Sequence, residues 1–122
     1  MADILIIDDD ESVRSSMRKI LERQGHTVRE AGDGSSGLDL LRQKTPDLVV
    51  TDLYMPGKEG IETILDLRTI EPDLPILAGS GGGATVGRGL SLSDAEALGA
   101  NASLAKPFSV EALQDIVEHL LG

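Results

Sequence analysis

Short apolar runs punctuate the chain at Ile4-Leu5-Ile6-Ile7, Leu48-Val49-Val50, Ile76-Leu77-Ala78 and Leu104-Ala105. Each gives way within two residues to a polar group: Asp8 and Asp9, Asp52, Ser80, and Lys106. An unbroken run of β-branched residues and leucine, without alternation, predicts a strand buried on both faces. Between the runs the apolar residues change to helical spacing. Val13, Met17, Ile20 and Leu21 form one such stripe, with Gly25 placed to end the helix in a left-handed conformation. Leu38 and Leu41 mark a helix over about 35–44 that stops before Pro46. Ile61, Ile64 and Leu65 are read as the inner face of a third helix, ending before Pro72. Val110, Leu113, Val117 and Leu120 mark the last one, with Ser109 as N-cap and Glu111 in its first turn. The remaining strands are read at Thr27–Ala31, about 47–51, about 75–79 and Ala102–Ala105. Residues 79–89 are glycine-rich and read as a loop, followed by a poorly marked helix over about 92–98.

The order is therefore strand then helix, five times. Short repeats of this kind imply right-handed crossovers and a parallel sheet covered on both faces. Five strands are too few for an eight-stranded barrel, which leaves an open, doubly wound α/β sheet. Ligands of such sheets bind beyond the carboxyl ends of the strands. All four polar strand ends fall at that edge. It would gather three carboxylates, a hydroxyl and an ammonium, the groups needed to hold a divalent cation beside a phosphoryl group.

Composition narrows the picture. The 122 residues suit a single domain, taken as residues 1–122. Tyr54 and Phe108 are the only aromatic residues, so the core rests on Leu, Ile, Val and Ala. Without cysteine the chain can form neither disulfides nor thiolate metal sites, which suits a cytoplasmic location. The first residues lack the pattern of a signal peptide, and no apolar stretch nears the roughly 18 residues of a membrane span. A net charge of −10 disfavours direct nucleic-acid binding, because phosphates would be repelled.

Each candidate residue has an ordinary reading beside the chemical one. Adjacent carboxylates such as Asp8 and Asp9 repel unless a cation neutralises them, and hard oxygen ligands suit Mg²⁺. Asp8, Asp9, Asp10 and Glu11 also suit a helix start, where they complement the dipole. Asp52 can act as a nucleophile toward phosphorus, or cap the turn announced by Pro56-Gly57. Ser80 can donate to a phosphoryl oxygen, or belong simply to a Gly-Ser-Gly loop. Lys106, between an apolar strand and Pro107, fits no solvated helical face, and lysine is a frequent phosphate binder.

The segments Ile-Leu-Ile-Ile-Asp8-Asp9-Asp10, Asp52-Leu-Tyr-Met55-Pro56-Gly57, Ser80-Gly81 and Lys106-Pro107-Phe108 together resemble the receiver domain of bacterial two-component response regulators. The resemblance runs over essentially the whole chain. It implies a flavodoxin-like (βα)5 fold with strand order 2-1-3-4-5. It implies Mg²⁺ (or Mn²⁺) held by Asp8 through water, Asp9, Asp52 and the backbone carbonyl of Tyr54. Asp52 would be the phosphoacceptor, with Ser80 and Lys106 as the responding hydroxyl and lysine. The expected partners are a histidine kinase or histidine phosphotransfer protein and a downstream protein or output domain. The chain would be a signalling domain catalysing its own phosphorylation and dephosphorylation, not an enzyme with a diffusible substrate.

One departure stands out. The family's aromatic switch residue lies three before the lysine, where this chain has Ser103. Serine has no ring to swing, so ordering of the Gly81-Gly82-Gly83 loop is expected to replace aromatic rotation. Ser103, Pro107 and those glycines then belong to the switch and partner surface. A rival reading takes Gly79-Ser80-Gly81-Gly82-Gly83-Ala84 as a dinucleotide fingerprint. It needs a good helix directly after, and an acidic residue where Lys106 stands. A hydrolase using Asp52 would need a second acid and a solvent-excluding cap. His26 and His119 have no nearby partner in the pattern and are read as surface residues.

Overall fold

A computed structural model describes residues 2–52, 60–80, 99–105 and 108–122. Five parallel strands form one sheet: β1 (Asp3–Ile7), β2 (Thr27–Ala31), β3 (Leu48–Asp52), β4 (Ile76–Ser80) and β5 (Ala102–Ala105). Their order is β2-β1-β3-β4-β5, as the resemblance implied. Four helices are described: α1 (Glu11–Arg23), α2 (Gly34–Gln43), α3 (Gly60–Ile70) and α4 (Val110–Leu121). The expected helix over about 92–98 lies outside the described residues.

The middle stretches of the central strands, Ile4–Ile7, Leu48–Val50 and Ile76–Ala78, are unbroken apolar runs because helices cover both faces. Successive residues of a strand point to opposite sides. Ile4 and Ile6 join Met17 and Leu21 of α1 and Leu113 and Val117 of α4. Leu5 and Ile7 join Leu38 and Leu41 of α2 and Ile64 and Leu67 of α3. The two layers cover both faces of the sheet.

Helix ends follow local chemistry. Asp10 caps α1 by accepting N–H bonds from Ser12 and Val13, and Asp33 caps α2 through Ser36. Ser109 caps α4, accepting from the Ala112 N–H at 3.0 Å. Gly25, just past α1, has φ of 97°, the left-handed conformation expected there.

Two stripes differ from expectation. On α3, Leu65 is 44% exposed, while Thr63, Ile64 and Leu67 are fully buried. The side chain of Ile61 lies outside the described residues. On α4, Val110 is 46% exposed and the buried stripe begins at Leu113. Arg68 has a role the pattern did not reveal. Its guanidinium donates to the carbonyls of Gly99, Pro72 and Leu74 at 2.7–2.8 Å and to Asn101 Oδ1 at 2.9 Å. The end of α3 is thus tied to the entry of β5.

Packing is close where α2 meets β1. A Cβ at Gly37 would lie 2.4 Å from Ile7 Cδ1 and 2.7 Å from Cγ1. Ile7 is fully buried, directly before Asp8. Gly37→Ala gains about 0.5–1 kcal/mol of helix propensity but incurs overpacking of about 1–3 kcal/mol. The expected result is a net loss of about 1 kcal/mol in urea unfolding. Pairing Gly37→Ala with Ile7→Val should recover part of it; a more stable single variant would contradict this packing.

Candidate functional site

The site is built from strand ends. Parallel pairing aligns Ile7 with Thr51, Asp52 with Gly79, and Ser80 with Ala105. The residues that follow or end these strands therefore share one edge. One carboxylate oxygen from each of Asp8, Asp9 and Asp52 lies within 4.8 Å of the other two. Asp8 is 1% exposed and Asp52 5%, whereas Asp9 faces solvent. Three like charges this close favour a cation in their midst, and an all-oxygen donor set suits Mg²⁺ or Mn²⁺.

The floor below is apolar. A cavity of about 10 Å³ there is walled chiefly by Met17, Val50, Leu77, Leu104, Phe108 and Leu113. Low polarity beneath the carboxylates strengthens their interaction with any charge above.

The turn carrying Asp8 and Asp9 is pinned at several points. The Asp8 N–H donates to the Ala31 carbonyl at 3.1 Å, extending the β1–β2 ladder. The Asp10 N–H donates to Asp8 Oδ1 at 2.9 Å. The Asp10 side chain itself caps the helix, accepting from Ser12 and Val13, as its ordinary reading expects. Arg14 Nη1 donates to the Asp8 carbonyl at 2.7 Å, and Arg14 Nε to Glu30 Oε1 at 3.2 Å. The motif reading missed Arg14 and Glu30, because only the packing of α1 beside β2 brings them together.

Ser80 ends β4, but its side chain lies outside the described residues, as do Tyr54, Gly81, Gly82, Gly83, Lys106 and Pro107. Ser103 is half-buried on β5, paired with Ala78.

Residues 4–118 match the family model of the response regulator receiver domain. The chain belongs to this receiver family. The receiver is 42% identical over 110 residues to the response regulator MprA of Mycobacterium sp. strain KMS, covering 90% of this chain and 46% of that one. It thus spans about half the length of the curated relatives it matches. Among solved structures, it is similar to the receiver domain of NtrX from Brucella abortus, with a TM-score of 0.89 and 30% identity over 98% of both chains. The chemotaxis response regulator CheY4 of Vibrio cholerae gives 0.86 and 28% over 99% of both. The matches carry the receiver's place in two-component signalling, and its fold.

Acid should weaken this receiver. His26 is half-buried rather than a plain surface residue, and its Nδ1 accepts the Ala2 N–H at 3.1 Å. Burial holds its pKa below the ordinary 6.5. Hydrogen bonds from Arg18 first, then Arg14, hold Glu30 below its ordinary 4.5. For both groups the unfolded chain binds protons more readily, so stability rises with pH. The His26 contribution is complete above about pH 6.5 and is lost as pH falls through its lowered folded value. The Glu30 contribution is lost only below about pH 4.5. The expected result is a lower melting temperature at pH 5.5 than at 7.5, with the difference reduced in His26→Gln. An undiminished difference in that variant would rule His26 out.

Proposed function

We propose that Asp52 of this receiver accepts a phosphoryl group from the phosphohistidine of a histidine kinase or histidine phosphotransfer protein. The observation that carries this is the convergence of Asp8, Asp9 and Asp52 within 4.8 Å over an apolar floor. The cluster suits a divalent cation, Mg²⁺ or Mn²⁺, held by these carboxylates with the Tyr54 carbonyl. Bound there, the cation would offset the repulsion between an anionic nucleophile and an anionic phosphoryl group.

In the transfer an Asp52 carboxylate oxygen attacks phosphorus in line with the leaving imidazole. The oxygen–phosphorus bond forms as the phosphorus–nitrogen bond breaks, and the electron pair leaves with the imidazole nitrogen. Asp52 is fixed at the end of a wholly buried strand, so its carboxylate needs little reorientation. Lys106 and Ser80 would take up charge on the transferred oxygens. Water attacking the acyl phosphate would return the free carboxylate. The chain thus acts on itself, residues 1–122 forming one phosphoacceptor unit.

The output follows from the new charge. Drawing Ser80 and Lys106 inward would favour one of two arrangements of the neighbouring surface, which a downstream protein or output domain reads. With Ser103 in place of a ring, ordering of Gly81, Gly82 and Gly83 carries the change. Amide exchange at these glycines should slow when a phosphoryl mimic and Mg²⁺ are added; unchanged exchange would remove the loop from the mechanism.

The reading is tested by incubating the chain with a small phosphodonor. Intact-mass analysis should find one phosphoryl group with Mg²⁺ present and none with a chelator. Failure to label in Mg²⁺ would overturn the assignment.

A further inference from the structure

We infer that Arg14 is a positioning residue for the cation site, acting through the backbone of Asp8. This rests on the proposed cation binding by Asp8, Asp9 and Asp52. Asp8 and Asp9 can converge with Asp52 only if the peptide joining them keeps its orientation. The carbonyl of that peptide belongs to Asp8, and Arg14 Nη1 donates to it at 2.7 Å. The N–H of Asp8 and its carboxylate are held separately, by Ala31 and by the Asp10 N–H. Arg14 thus holds the carbonyl of the peptide at whose far side Asp9 begins.

Arg14 is itself held. Nε donates to Glu30 Oε1 at 3.2 Å, and Glu30 Oε2 accepts from Arg18 Nη1 at 2.8 Å. Its guanidinium lies over Gly32, where an added Cβ would sit 3.5 Å from Nη1. The side chain is only 17% exposed, so the fork is confined between α1 and the end of β2. Glu30 also offsets the positive charge, which would otherwise oppose a cation one peptide away.

The two effects of Arg14 have opposite signs, and this makes the inference testable. As a charge alone, Arg14 repels a cation, and its loss should tighten binding. As a positioning residue, it supports the ligand geometry, and its loss should weaken binding. Polar groups that orient metal ligands typically change affinity by about 10–100-fold when removed.

The experiment titrates the intact chain with Mg²⁺ by calorimetry and with Mn²⁺ by electron paramagnetic resonance. Melting in chelator serves as the stability control. Arg14→Met should weaken both ions by about tenfold. Arg14→Lys, which keeps a donor and the charge, should recover a good part of that loss. A purely structural role would lower the melting temperature and leave the dissociation constants unchanged. Unchanged or tighter binding in Arg14→Met overturns the inference, as does Arg14→Lys binding no better than Arg14→Met. A wild-type chain that binds neither ion would instead overturn the cation site itself.

Discussion

Asp52→Asn should abolish phosphoryl incorporation from a small phosphodonor in Mg²⁺, leaving the chain folded. The substitution keeps shape and removes the only nucleophilic oxygen pair at the end of β3. An amide is a poor nucleophile, and its phosphoryl adduct is not formed under these conditions. No other described carboxylate stands both buried at a strand end and inside the acidic cluster except Asp8, whose Oδ1 is already occupied by the Asp10 N–H. The expected change is from near-complete labelling to none. Asp9→Asn should behave differently, because Asp9 faces solvent and is assigned only to the cation. Losing several kcal/mol of charge compensation slows transfer by about two orders of magnitude or more without ending it. Intact mass against time separates the two. Label on Asp52→Asn would move the acceptor elsewhere, and equal rates for Asp9→Asn and wild type would remove Asp9 from the cation site.

The second large effect concerns α3. Leu67→Ala should destabilise the fold by about 2–5 kcal/mol, since Leu67 is fully buried in the cluster that also holds Ile64 of α3 and Val49 and Ile76 of the sheet. That is a large share of a typical total of about 5–15 kcal/mol. Leu65→Ala should change stability by no more than about 0.5 kcal/mol, because the side chain is 44% exposed. Urea midpoints of the two variants give the comparison directly. Similar losses would mean that α3 is rotated from the orientation described.

These two neighbours on α3 also show where sequence reading reaches its limit. Ile61, Ile64 and Leu65 satisfy helical spacing, and so do Ile64 and Leu67. Leu65 and Leu67 stand about 200° apart around the helix, so only one of them can face the sheet. Apolar residues on both sides leave the choice open until β3 and β4 are in place. The buried Thr63 could not be foreseen for the same reason. On α1, by contrast, polar residues separate the stripe cleanly, and Met17 and Leu21 are buried as expected.

The strand ends were legible for a different reason. A parallel sheet with helices on both faces needs unbroken apolar runs, and where such a run stops the chain leaves the sheet. The pattern alone therefore places Asp8, Asp9 and Asp52 at one edge. The same logic placed Ser80 at the end of β4. It could not distinguish Asp10, which shares its charge with its neighbours but whose side chain caps α1.

The amino-acid sequence by itself determined the alternation of elements, the two-sided burial of the strands, and the acidic strand ends. These depend on residue type and spacing over a few positions, which local physics reads directly. The tertiary structure decided which face of α3 is inner and that the three carboxylates come within 4.8 Å of one another. It also brought Arg14 of α1 and Glu30 of β2 together behind Asp8, and Arg68 of α3 onto Gly99 before β5. Those contacts join residues far apart in the chain, and their geometry follows from how helices settle on the sheet.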